Sequence, residues 1–146
     1  MRRLAAIFCV FFVLPALADD LVSKPSAHDV TTTIDRLVEI VQGKGMTVFA
    51  RIDHAAGAAA IEQQLAPTQV LIFGSPKAGT PVMQKDARAG LDLPLRVLVY
   101  EDADGRTWVS YHDPRALRES YALGELPVPE KMAAMIGALT DQAVAP

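Results

Sequence analysis

The sequence predicts an α/β fold of the α+β kind: a single compact domain with a mixed sheet of about five strands and helices packed against it. Three observations lead there. Runs at 21–24, 47–52, 70–73, 95–101 and 107–111 have the alternating or wholly apolar character of strands. Segments between and after them place apolar residues at the spacing of one helix face. No stretch is long or biased enough to be an interdomain linker, and no repeat is visible.

The first strand, from Leu21, is stopped by Pro25. Ser26 to Asp29 then offers side-chain oxygens to the free N–H groups of a helix start. Val30, Ile34, Leu37, Val38 and Val41 follow on one face, and Gly43 and Gly45 end the helix. After the strand at 47–52, the run from Ala55 to Leu65 reads as a small-residue helix, ended by Pro67. Val70 to Phe73 is apolar on both faces, the pattern of an interior strand. Gly74 to Pro94 is rich in Gly and Pro, with a helical turn or two expected around Pro81 to Ala89. The last two strands flank Asp102-Ala103-Asp104-Gly105, residues that tolerate the positive φ of a tight turn. Asp113-Pro114 can cap a helix running to Tyr121. A final helix opening at Pro129 and Glu130 aligns Val128, Met132, Met135, Ile136 and Leu139. The order β-α-β-α-β, then a hairpin and two helices, predicts strands of mixed direction.

Met1 to Ala18 has the form of a secretory signal peptide: Arg2 and Arg3, an apolar stretch from Leu4 to Leu14, and small residues before a cut after Ala18. The apolar run falls short of the roughly 18–20 residues of a membrane span. The expected mature domain, 19–146, is therefore periplasmic or secreted, without membrane attachment once the leader is cut. Cleavage removes Cys9, the only cysteine, and with it any disulfide, thiolate nucleophile or cysteine metal site. The chain carries 14 basic and 17 acidic residues, and losing Arg2 and Arg3 sharpens the acidic excess. No basic cluster is present, which argues against nucleic acid as a partner.

Several motifs invite chemistry. Gly74 to Thr80 follows a buried strand and holds two glycines, a lysine and a threonine. It lacks the Gly-Lys-Ser/Thr order of a Walker A loop, and Pro76 has no N–H to offer a phosphate. Lys77 and nearby backbone N–H groups can still attract a small anion, although a plain strand-to-helix turn explains the same residues. The acidic turn resembles part of a calcium loop, but aligning Gly105 with that loop's glycine puts Tyr100 and Tyr111 at coordinating positions. His54 and His112 each end a strand beside an acid, Asp53 and Asp113, so either is a candidate base, acid or ligand. A Cu(I) site would need both histidines to meet a further ligand such as Met83, Met46 or Asp113. Met132 and Met135 read as core. Ser75 sits outside any nucleophile motif.

Four stretches together carry a resemblance: Arg51-Ile-Asp-His-Ala-Ala-Gly-Ala58, Ile72 to Lys77, Leu91-Asp-Leu-Pro-Leu95, and Val97 to Tyr111. On these the chain resembles the domain of unknown function 302 family. The resemblance implies a small, dimeric α/β domain with no assigned activity, and it places His54 in a characteristic run. With no catalytic or cofactor motif, the expected function is an exported, soluble, non-catalytic module, binding or sensing a small or anionic ligand as a homodimer without cofactor. Its expected site is His54, Ser75, Lys77, Tyr111 and His112. The alternatives are an enzyme using His54 as general acid or base, and a copper-handling protein using His54, His112 and Met83.

Overall fold

The computed structural model describes residues 20–146; the expected leader lies outside the described residues. The strands are β1 (Leu21–Pro25), β2 (Thr47–Asp53), β3 (Thr68–Gly74), β4 (Leu95–Glu101) and β5 (Thr107–His112). The helices are α1 (Val30–Gly43), α2 (His54–Ala59), α3 (Pro76–Lys85), α4 (Leu117–Ser120) and α5 (Val128–Val144). Single 3-10 turns at Ala87–Leu91 and Pro114–Ala116 complete them.

The strands form one sheet in the order β1-β5-β4-β3-β2. The α/β class and five strands agree with the sequence, but the strand direction does not. Every neighbouring pair is antiparallel where a mixed sheet was expected. The reason lies in the connections. Parallel neighbours need a crossover along the sheet face of roughly a dozen residues or more; the 14 residues between β2 and β3 and the 20 between β3 and β4 are long enough for one, but they turn the chain back at the end of the sheet where it emerges. α1 does cross, but it carries the chain from one edge of the sheet to the other, so β1 and β2 never pair.

α1 forms where the caps and periodicity place it. Asp29 accepts the Thr32 N–H at 2.7 Å, and Val30, Ile34, Leu37 and Val41 are buried. Gly45, at φ +72°, closes the end by donating its N–H to the Gln42 carbonyl at 2.9 Å. α1 and α5 pack together on one sheet face, over a core that includes Leu71, Phe73, Val97, Val99 and Val109. Two cations tie strand and helix to the end of the chain. Lys24 on β1 donates to the Gly137 carbonyl at 3.0 Å and Thr140 Oγ1 at 2.9 Å, and pairs with Asp141 at 2.6 Å. Arg36 donates to the carbonyls of Ala143 and Gln142 at 3.1 Å and of Ala145 at 3.0 Å, satisfying the free C-terminus of α5.

Two elements differ from the sequence reading. The helix expected over Ala55 to Leu65 stops at Ala59, buries no residue, and is followed by Glu62 in the left-handed region at φ +58°. Its alanines offer too little apolar area to hold a longer helix on the sheet. Conversely, the Gly/Pro-rich stretch folds as a ten-residue helix, α3, running through Gly79 and Pro81. Its start is well supported: Ser75 accepts the Lys77 N–H, Pro76 takes a first-turn position, and Val82 is fully buried.

The second sheet face carries Ile52, Val70 and Leu98 in one cross-strand row and Tyr100 and Trp108 in another. These residues are half-buried or exposed.

Candidate functional site

β3 and β5 both run antiparallel to β4, so Gly74 and His112 come out at the same end of the sheet as the start of β4. Two cavities open there, and Leu95 lines both. β2 runs the opposite way to β3, with Asp53 opposite Gln69 and Thr47 opposite Gly74. His54 therefore lies at the far end, about 20 Å away at ~3.3 Å per strand residue.

The five expected site residues consequently separate. Ser75 lines the first cavity. His112 lines the second. Lys77 is exposed and does not line the first cavity beside Ser75. Tyr111 faces inward beneath α5, with the Lys24 ammonium 5.6 Å from its ring centre. His54 opens α2, with Asp53 spent on capping that helix through the Ala56 N–H at 2.9 Å. The copper alternative required His54 and His112 to share one site with Met83, and the strand directions hold the two histidines apart. Among the described residues, no three His, Cys, Asp or Glu side chains gather as metal ligands.

The His112 cavity is polar, about 240 Å³, and is edged by Asp20, Asp92, Arg96 and Asp113. His112 Nδ1 lies 3.0 Å from Asp20 Oδ1, so the histidine's acidic partner is Asp20 and not its sequence neighbour. Asp113 instead caps the following turn and pairs with Arg115, whose hydrogen bonds hold its carboxyl below the usual range. Tyr121 donates its hydroxyl to Asp92 Oδ2 at 2.5 Å, which raises the phenol's pKa. The groups here are thus largely paired with one another.

The first cavity differs in kind. It measures about 230 Å³ and lies between the turn after β3, α3, the Leu93-Pro94 segment and α5. Its wall contains Met46, Met83, Met132 and Met135, every methionine in the chain beyond Met1. Phe49, bulged out of β2 where its register with β3 shifts, stands at the rim, 55% exposed. Polar side chains contribute only Ser75 and Thr80, and no charged residue lines the space. Sequence reasoning found Ser75 but placed Met132 and Met135 in a filled core. Both do face inward from α5, yet the facing elements leave a gap between them. Helical spacing carries the inward direction; it carries no signal of the gap.

A five-stranded antiparallel sheet with helices packed on one face defines a small single-domain α/β protein. A family model described as Domain of unknown function DUF302 matches residues 22–141, and the chain belongs to that family. It is similar to the crystal structure of an uncharacterised conserved DUF302 protein from Bacillus stearothermophilus, at 20% identity with a TM-score of 0.69. That likeness covers 87% of this chain and 97% of the other. The chain is also 43% identical over 104 residues, 71% of its length, to proteins named Fluoride-specific ion channel FluC 1 from Brucella suis biovar 1 and Brucella abortus biovar 1. It spans 41% and 38% of those relatives, respectively.

Proposed function

We propose that this protein is an exported, non-catalytic module that holds a small ligand in the methionine-lined cavity and works as a homodimer through its open sheet face. The observation that carries the ligand reading is the convergence of four methionines, from the turn before β2, from α3 and from α5, on one unfilled space. The space opens to solvent past Phe49 and Met83, and preformed concave apolar sites of this kind are where small molecules bind. Methionine adds a deformable wall suited to a guest.

Dimerisation is supported by the second sheet face. β3 is apolar on both sides, a pattern that belongs to a strand covered twice. Of the strand residues on that face only Arg96 and His112 can carry a positive charge and none is acidic, so few charges oppose one another when two copies meet. Five strands have four gaps of ~4.8 Å, so the face is roughly 19 Å wide. Export is supported by the pattern of Met1 to Ala18.

Native mass spectrometry of protein purified without chelators tests both parts. The expected result is a dimer retaining a small adduct that Gly79→Leu, which fills the cavity, loses and His54→Ala keeps. Ile72→Lys, on the open face, should give monomer. An adduct indifferent to Gly79→Leu, or a dimer indifferent to Ile72→Lys, would remove the corresponding part.

The Brucella relatives favour a second reading. No helix among the described residues is long and apolar enough to cross a membrane, and an open five-stranded sheet is no closed barrel. The part of those relatives that spans a membrane as a channel is then the part this chain does not match. On this reading the domain acts outside the membrane as an accessory to such a channel. Co-purification with the unmatched portion of the Brucella suis relative supports it; no association in detergent or in vesicles removes it.

A further inference from the structure

Resting on the ligand reading above, we infer that the methionine-lined cavity takes a neutral aromatic molecule of one or two fused rings carrying a single hydroxyl or N–H group. Size comes first. An apolar cavity of about 150 Å³ holds benzene, and this one is about 230 Å³. Scaling by volume gives a guest of roughly nine non-hydrogen atoms, the size of an indole or a substituted phenol. Charge comes second. No cation lines the space, and Lys77, the lysine nearest in sequence, is exposed outside it. A carboxylate or phosphate buried there would have no counter-ion and would forfeit its hydration.

Wall chemistry then separates aromatic from aliphatic guests. Thioether sulfur makes favourable contacts with ring edges at about 5 Å, and four methionines with Phe49 supply such contacts from several sides. The polar side chains, Ser75 and Thr80, both lie on the α3 side, which suits one polar group at one end of the guest. Ser75 Oγ already accepts the Lys77 N–H at 3.3 Å and can accept a second hydrogen from the guest.

Methyl-13C methionine labelling gives a direct readout, because the four methionines beyond Met1 all line the site. Titration with indole should shift all four methyl resonances together with one dissociation constant. Gly79→Leu should weaken indole at least tenfold. An ideal Cβ at Gly79 meets only Met83 Cε at 3.7 Å and Leu93 Cδ1 at 4.0 Å, so the variant has room to fold, and its dispersed methyl spectrum verifies that. Lys77→Ala should leave the affinity unchanged. Octanoate shifting the four methyls where indole does not would overturn the aromatic class while leaving the ligand site standing. Ag(I) as the sole species that shifts them would reassign the cavity to a soft cation. Indole shifting only exposed Met83, or nothing, overturns the inference; the adduct seen or lost by native mass spectrometry then decides the site reading separately.

Discussion

At the residue scale, Asp102 shows how one side chain organises a turn. It accepts the N–H groups of Asp104 and Arg106 at 2.9 Å and the indole N–H of Trp108 at 2.8 Å. Gly105 follows at φ +75°, a conformation that side chains resist. Those donors, the Arg106 backbone N–H foremost, hold the Asp102 carboxyl below its ordinary range. Asp102→Ala strips the acceptor from all three donors, so thermal unfolding monitored by Trp108 fluorescence should show a lower Tm, whereas Ala103→Ser should leave it unchanged. Met132 is the second instructive residue, buried at the cavity wall. Met132→Ala enlarges an existing void and should cost about 2–5 kcal/mol, while Met132→Leu, nearly equal in volume, should cost less than about 1.5 kcal/mol. Chemical denaturation distinguishes the two; equal losses would mean that the neighbouring side chains already collapse into the space.

At the element scale, local propensity and packing disagree in both directions. α3 contains a glycine and a proline, both unfavourable inside helices, but buried Val82 and the caps at its start compensate. α2 has four alanines, the strongest helix former, yet with Gly57 inside it and nothing apolar to anchor it, it ends after six residues. Sequence reasoning was therefore right about strands and about α1 and α5, where apolar periodicity and caps agree. It was wrong at α2 and α3, where long-range packing decided. The joint between α1 and α5 can be tested directly. Arg36→Met keeps the apolar stem and removes the donors to the α5 C-terminal carbonyls, so stability should fall by about 1–2 kcal/mol. Hydrogen exchange should report earlier opening of the last turn of α5; unchanged protection there would show that water replaces Arg36 without cost.

For the whole molecule, the acidic groups set the response to pH. Asp86, Asp102, Asp113 and Glu130 are held below their ordinary pKa, by Arg88, the Arg106 N–H, Arg115 and Arg118 respectively as the largest cause. A carboxyl depressed in the folded state stabilises it fully above the unfolded value, about 4. That contribution is lost as pH falls through the lower folded values. Stability should accordingly be flat from pH 7 to about 5 and fall below about 4. Added salt should reduce the ion-pair share of the effect, since the guanidinium partners Arg88, Arg106 and Arg115 are exposed. A Tm that holds steady down to pH 2 would contradict it.

The sequence by itself determined the α/β class, five strands, the acidic hairpin, the two long helices and the family, because each depends on residues within a few positions of one another. Strand alternation, Asp29 and Asp113 as caps, and the Asp-Gly turn are all local devices. Only the tertiary structure decided which of the candidate site residues share a place. His54 and Ser75 sit at opposite ends because β2 and β3 pair antiparallel, the chain turning back after β2 instead of crossing the sheet, which no short motif records. Asp20 becomes the partner of His112, 92 positions away along the chain, because β1 is the edge neighbour of β5. Met132 and Met135 looked like core in sequence and do face inward. That they line a cavity follows from how α3, α5 and the turns beside β3 fail to close on one another, a property of the assembled volume that no single element carries.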